Sequence, residues 1–521
     1  MLLGVAGSLL AAQVAALEVK YVIALVGALA ALAVFAATRT SARLQVLLVV
    51  CLALTIPVNL DVNFLFRPHI GGAPSISVSA SMLCALALLS VWLYRYRTGE
   101  VRPLMVREPT IMWATLLFMG IGVLSLWNAP HRDLVLLEEV RLTTLFITMM
   151  VVMNLRSRQL LRTFVLFLTV STFTQGVLAT TQFITHSSLG LDIFGAAQLV
   201  KLDIGMAVSR ATGTIGHPNV LGYYLETALP LGFALFLVER RPLLQAWYLL
   251  AFVGTLAGLV ATLSRGAWLS VPVSCGFTFW ILYRKRLFRL SSGVALSVAG
   301  MIAMVFLYFA YPTIEKRFLH DDYSSASMRM PLNRAALSII EQYPVLGVGL
   351  NNFAEVFHTY DRTGYSRIFT KRTATAYSVS SKPYKHVVHN LILWVWGEVG
   401  TVGLLAFLWM FGSVFRVAWR AYRSADDWSR AVLVACVAGM LGHLVHGQVD
   451  PGFRISPAVS MLLYAMFGLV AAISLHQRLE LAPRALPGRV GPGPAVAPGA
   501  RAAPAARDGT AGSAGRAHLP R

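Results

Sequence analysis

The sequence predicts an all-α polytopic membrane protein of about 12–14 transmembrane helices with one large extracytoplasmic loop. Composition comes first: of 521 residues, 57% are hydrophobic and only 13% charged, where a soluble domain carries about a quarter charged. Mean hydropathy is +0.66. Runs of roughly 20 apolar residues recur, long enough to cross the hydrocarbon core as helices. The segment 311–388 is the one long polar interruption, and it leads to His386-Val-Val-His389-Asn390 at the mouth of another apolar run.

In chain order the spans are read near 21–36, 44–58, 78–94, 109–127, 137–154, 163–183, 219–238, 244–262, 267–283, 291–311, 390–415, 430–446 and 457–475. The second is short, and the fifth opens on Glu138, Glu139 and Arg141. Residues 1–17 are apolar but lack the basic start of a cleaved signal peptide, so they are read as a possible further span. Four parts follow: an N-terminal bundle at 1–310, the extracytoplasmic loop at 311–388, a C-terminal three-helix part at 389–478, and a tail at 479–521. The tail is rich in Ala, Pro, Gly and Arg without apolar periodicity. It cannot bury enough surface to offset its ordering entropy, so it reads as disordered and cytoplasmic.

Orientation follows from basic residues. One alternating set of connections holds Arg39 and Arg43; Arg95, Arg97, Arg102 and Arg107; Arg156, Arg158 and Arg162; Arg240 and Arg241; Arg284, Lys285, Arg286 and Arg289; and Arg416, Arg420, Arg423 and Arg430. The other set holds only Lys20, Arg67, Arg132, Lys201, Arg210, Arg265 and Arg454. The bias assigns the richer set to the cytoplasm and the 311–388 loop to the outside. The net charge of +21 is mostly this topology signal plus the tail, which argues against nucleic-acid binding. Cys51, Cys84, Cys275 and Cys436 fall inside apolar spans without close spacing, against a metal cluster or a disulfide framework.

Several residues stand out as carriers of chemistry. Arg210 begins Arg210-Ala-Thr-Gly-Thr-Ile-Gly-His217-Pro218-Asn219, a Gly- and Pro-punctuated loop leading into a span. Arg265 lies in Ser264-Arg265-Gly266 between two spans, and Arg329 in the large loop. Pro331 suits the first turn of a helix running to about Gln342, with Leu332, Ala336, Ile339 and Tyr343 on one side. Pro344 stops that helix, and Gly347-Val-Gly349-Leu-Asn351-Asn352 follows as a turn. An arginine at a span end often does no more than reach the lipid headgroups, and one in a loop is often only solvated. These three, however, sit on the face where arginine is disfavoured, and a guanidinium fork suits a phosphate group.

His389 can take a proton from a sugar hydroxyl near neutral pH, with an interfacial, purely structural histidine as the plain alternative. His386 is its rival one turn earlier. Glu398 stands half a turn out of phase with His389 and about 13 Å along the axis, a poor orienting partner. Gly400 and Gly403 read as positions of close helix packing. His443, His446 and Asp450 resemble a metal pair with a neighbour, but no third and fourth ligand is evident, so no metal and no cofactor is expected. Glu226 is an intramembrane acid, a functional candidate without an evident partner.

Taken together, these residues resemble the O-antigen ligase/polymerase superfamily of bacterial envelope glycosyltransferases. The resemblance runs from about Arg210 to Phe453. It covers Arg210…Gly213…Pro218-Asn219, Ser264-Arg265-Gly266, Arg329 with Ala335-Ala336-Leu337, Pro344-Val-Leu-Gly347-Val-Gly349-Leu-Asn351-Asn352-Phe353, His389-Asn390 and Glu398-x-Gly400-x-x-Gly403. It implies metal-independent transfer of a glycan from undecaprenyl pyrophosphate on the outer face of the bacterial inner membrane. It assigns Arg210, Arg265 and Arg329 to the pyrophosphate and His389 to the acceptor hydroxyl. From the residues themselves, His386, Asn390 and Glu226 stand as secondary candidates. The acceptor of a ligase is a lipid A–core sugar or, in some relatives, a protein hydroxyl; a polymerase of O-antigen or exopolysaccharide extends a second lipid-linked glycan instead. The His389-Asn390 and glycine arrangement leans toward the ligase. A flippase for lipid-linked saccharides fits less well, since no internal repeat is visible.

Overall fold

The computed structural model describes residues 42–59, 61–100, 108–155, 157–191, 200–203, 207–287, 293, 300, 311, 315, 329–362 and 386–481. The spans read at 21–36 and 291–311, apart from isolated positions of the latter, lie outside these residues, as do most of the large loop and the tail beyond Leu481.

The helices are α1 (Ala42–Thr55), α2 (Ala80–Arg97), α3 (Pro109–Leu124), α4 (Arg132–Met153), α5 (Arg158–Thr185), α6 (Pro218–Val238), α7 (Pro242–Ala261), α8 (Arg265–Arg284), α9 (Arg329–Gln342), α10 (Phe353–Tyr360), α11 (Leu391–Ser424), α12 (Asp427–His446), α13 (Gly452–Ile455) and α14 (Pro457–Leu481). Among the described residues eight helices are long and apolar enough to cross a membrane: α3 with the turn that follows it, α5, α6, α7, α8, α11, α12 and α14. The protein is an all-α multi-pass membrane protein. Two short antiparallel hairpins interrupt it, β1 (Asp61–Phe64) with β2 (Ile76–Ser79), and β3 (Val200–Asp203) with β4 (Ala207–Arg210). Neither was expected. Both are only four residues per strand, too short to show an alternating pattern against loop polarity.

α6 packs against α7, α8 and α12, and both α6 and α14 are wholly enclosed by other helices. A helix apolar on every side is one that other helices surround, and this enclosure lets α6 carry Glu226 away from lipid. Basic residues segregate along the bundle. At one end Arg158 pairs with Asp426, Arg240 and Arg430 with Asp427, and Arg420 and Arg478 with the buried Glu108. All but Arg478 belong to the arginine-rich set of the sequence. The opposite end holds the starts of α6, α8, α11 and α14 and the finish of α7 and α12, and with them Arg210, Arg265 and Arg454.

At that end α9 spans Arg329–Gln342 and buries Leu332, Ala336 and Ile339 against α11, as its apolar periodicity predicted. The turn after it docks into a break in α11. Gly400 is the break: its φ is +66°, so α11 is two helices meeting at a kink. A Cβ there would collide with the Val345 carbonyl. Val348 and Gly349 donate their N–H groups to the Gly397 and Glu398 carbonyls (both 3.0 Å), and Thr401 donates to Pro344 (2.8 Å). The close-packing role read for Gly400 is therefore corrected: it opens the helix to another backbone, because only glycine takes this φ without strain. Asn351 and Asn352 complete the joint. The Asn351 amide donates to the Ala73 and Leu134 carbonyls, and Asn352 exchanges bonds with the backbone of His131.

Candidate functional site

Arg210 ends β4, and its buried guanidinium is held at two points. Nε donates to the Thr262 carbonyl at 2.9 Å, and Nη2 donates to Asn219 Oδ1. Asn219, in the first turn of α6, donates from Nδ2 to Asp450 Oδ2 at 2.8 Å. Asp450 lies in the turn after α12 and is itself buried. Burial raises its pKa; the Asn219 hydrogen bond and the nearby His217, Arg329 and Arg210 oppose the rise. Arg210 and Arg329, far apart in sequence, thus flank one carboxylate.

Arg329 is the first residue of α9 and half-buried. Its Nε is enclosed without a hydrogen-bond partner among the described residues. Arg265 is the first residue of α8, also half-buried. The adjoining Gly266 has a specific reason: a Cβ there would strike the His446 ring. The Ser264-Arg265-Gly266 element therefore brings the start of α8 against the end of α12.

His389 sits just before α11, half-buried, its ring centroid 5.1 Å from that of His386. Burial lowers its pKa to about 3, with His386 and Arg329 adding to the effect. At neutral pH the ring is therefore uncharged and able to accept a proton. His386 is lowered as well, chiefly by burial, and its Nδ1 lies 2.9 Å from the Val387 carbonyl. Asn390 is the N-cap of α11: its Oδ1 accepts from Leu393 N–H at 3.0 Å, and Leu391 N–H donates to Gly447 at 2.6 Å. These bonds fix the entrance of α11 against the turn after α12. Asn390 thus works through the backbone, as an N-cap does.

The structure brings Arg210, Arg329, His389, His386 and Asp450 into one electrostatic neighbourhood. Arg265 adjoins it through Gly266 and His446. The exposed His217, one residue before α6, completes the rim. Asp450 was missed as a member of this group, having been weighed only beside a metal pair. A lone carboxylate in a short connection at the arginine-poor end was the available signal.

The metal-like trio is dispersed. His446 Nδ1 lies 2.9 Å from Glu226 Oε2, His443 Nδ1 lies 3.4 Å from the Thr227 hydroxyl, and the Asp450 carboxylate faces Asn219. Among the described residues no three His, Cys, Asp or Glu side chains converge as metal ligands would. Glu226, left without a partner by the sequence, has two: the Ser270 hydroxyl donates to its Oε2, and His446 meets the same oxygen.

Glu398 is engaged away from His389, as its helical phase implied. It pairs with Arg454, which also pairs with Glu138 at 3.2 Å, and it accepts from Trp394 Nε1 at 2.8 Å. Arg141 pairs with Glu138 and donates to the Arg454 carbonyl at 2.6 Å. The charged opening of α4, a weakness in the hydropathy reading, is thus one half of a buried ion network.

Residues 250–408 match the family model described as O-antigen ligase. That segment carries Arg265, Arg329, His386, His389 and the Gly400 break, whereas Arg210 and Glu226 lie before it. No curated protein matches the chain. A similar solved structure, described as "Structural coordination of polymerization and crosslinking by a peptidoglycan synthase complex", has 15% identity and a TM-score of 0.37, covering 70% of this chain and 97% of that one. The family match supports a ligase- or polymerase-like function in polysaccharide biosynthesis. The matched segment, bracketed by the helices that hold the arginines and His389, is similar to the O-antigen ligase family.

Proposed function

We propose that this protein transfers a glycan from undecaprenyl pyrophosphate to an acceptor hydroxyl on the outer face of the bacterial inner membrane, without a metal ion. The observation that carries the proposal is the gathering of Arg210 and Arg329 about Asp450, with an uncharged His389 beside Arg329, at one end of the bundle. In this reading Arg210, Arg265 and Arg329 bind the diphosphate of the donor. His389 takes the proton from the acceptor hydroxyl as that oxygen attacks the anomeric carbon. The bond from that carbon to the diphosphate breaks, and the electron pair leaves with the diphosphate oxygen. Fixed guanidinium groups stabilise the developing charge without reorganising. The donor's own negative charge offsets the arginines and makes His389 a stronger base once the donor is bound.

The acceptor we assign is a lipid A–core sugar, the ligase reaction, on the strength of the His389-Asn390 entrance to α11. Orientation follows from the basic residues gathered at the end opposite the site, the cytoplasmic end by the positive-inside rule. Deleting the protein decides the acceptor. Long glycans retained on undecaprenyl pyrophosphate, with none on the lipid A–core, are the expected result. Single repeats capped onto the lipid A–core would identify a polymerase instead.

A further inference from the structure

Glu226 is fully buried in the middle of an enclosed helix, two turns below Asn219. Its Oε2 receives both the Ser270 hydroxyl of α8 and His446 Nδ1 of α12, at 2.9 Å for the latter. Its Oε1 is buried without a hydrogen-bond partner among the described residues. The His446 ring lies flat on Tyr223, centroids 3.7 Å apart and planes 1° from parallel. Tyr223 donates its hydroxyl to the Asp450 carbonyl, and the Asp450 carboxylate accepts from Asn219, whose Oδ1 accepts from Arg210. Every link is a direct contact, so Glu226 is joined to Arg210 by one unbroken chain. A second branch runs up α8 from Ser270 to Arg265, and Gly266 rests on the His446 ring.

We propose that Glu226 is a positioning residue that sets the spacing of Arg210, Arg265 and the Asp450 turn for a diphosphate, through His446 and Tyr223. The inference rests on the reading of this end of the bundle as the donor site. A carboxyl group held in an apolar enclosure is costly unless bonded, and a plain apolar residue would pack α6 against α8 and α12 at less cost. What the carboxyl adds is register: one oxygen fixes two helices whose ends carry the site. Glu226 touches no substrate in this arrangement. It governs how well the donor is held.

The test uses full-length protein in detergent, with farnesyl diphosphate as the probe, and donor KM and kcat in a reconstituted transfer assay. Glu226→Ala is expected to weaken diphosphate binding and raise donor KM about tenfold or more, with kcat changed far less. Glu226→Gln keeps an oxygen for Ser270 and is expected to restore binding to within about threefold of wild type. Tyr223→Phe keeps the stack but removes the bond to Asp450, and is expected to raise donor KM about three- to tenfold. Amide exchange at 446–454 should quicken in Glu226→Ala and Tyr223→Phe without a fall in exchange protection across α14. Wild-type binding and exchange in Glu226→Ala would overturn the inference alone. A drop in kcat at unchanged donor KM would also overturn it. Wild-type protein that ignores the diphosphate would overturn the donor-site reading and the inference with it.

Discussion

Two polar clusters occupy the same end of the bundle, only four residues apart at Asp450 and Arg454, and they are built on opposite principles. Around Arg454 the charges are matched: Arg454 and Arg141 share Glu138, Arg454 also holds Glu398, and the guanidinium lies 4.9 Å over the Trp394 ring. Carboxylates beside Arg454 hold its pKa above the ordinary value despite burial. Around Asp450 the balance is different. Among the described residues Arg210 and Arg329 bear on the buried Asp450 carboxylate, and the neighbouring His389 is kept uncharged. The first cluster is closed and joins α4, α11 and α13. The second is the cluster we propose as the anion site. Charge balance, more than burial or arginine content, separates the structural joint from the proposed binding site.

The comparison breaks most readily at His389. His389→Ala is expected to reduce transfer by about 10²–10⁴-fold, the usual contribution of a general base, while diphosphate binding is retained. Substantial residual turnover in a reconstituted assay would move the base to His386 or elsewhere. The two arginine clusters should then part company. Arg454→Met leaves Glu138 and Glu398 buried without their partner and should cost about 3–5 kcal/mol of stability, read as a lower melting temperature in detergent. Arg329→Ala should leave melting almost unchanged and lower transfer by about 10²-fold. Lysine at 329 should rescue poorly, since a point charge does not reproduce a guanidinium fork. Equal stability losses in both variants would erase the distinction between closed and open clusters.

The pH dependence sharpens the same contrast. Protonated His389 cannot accept a proton, so activity falls as pH drops through its pKa. In the free protein that pKa is lowered, and the acid limb of kcat/KM should lie below pH 6.5, the ordinary histidine value. A bound diphosphate raises it, so the acid limb of kcat should lie at higher pH than that of kcat/KM. Coincident limbs would show that the donor does not sit beside His389. The smallest effect belongs to Asn390→Ala, which removes an N-cap and should cost about 1 kcal/mol, with transfer reduced only modestly. Loss of transfer as complete as in His389→Ala would make Asn390 part of the chemistry.

Much of this molecule was legible in its sequence. Apolar runs locate the helices because crossing a membrane demands length and apolarity in one continuous stretch. Basic residues sort the ends of the bundle, and Pro331 with its apolar periodicity marks α9 to its last residue, Gln342. Arg210, Arg265, Arg329 and His389 stood out because each sits at a span boundary or in the polar loop, where charge is conspicuous. What the sequence could not express is partnership. Glu226 and His446 are 220 residues apart, Arg454 and Glu138 316, and no local pattern relates them. Nor does the sequence distinguish a glycine that lets helices touch from one, like Gly400, that opens a helix to another backbone. Hydropathy and spacing are properties of one segment at a time, so they determine which residues reach this end of the bundle. Which charged groups meet there depends on helices packing side by side, and only the tertiary structure decides that.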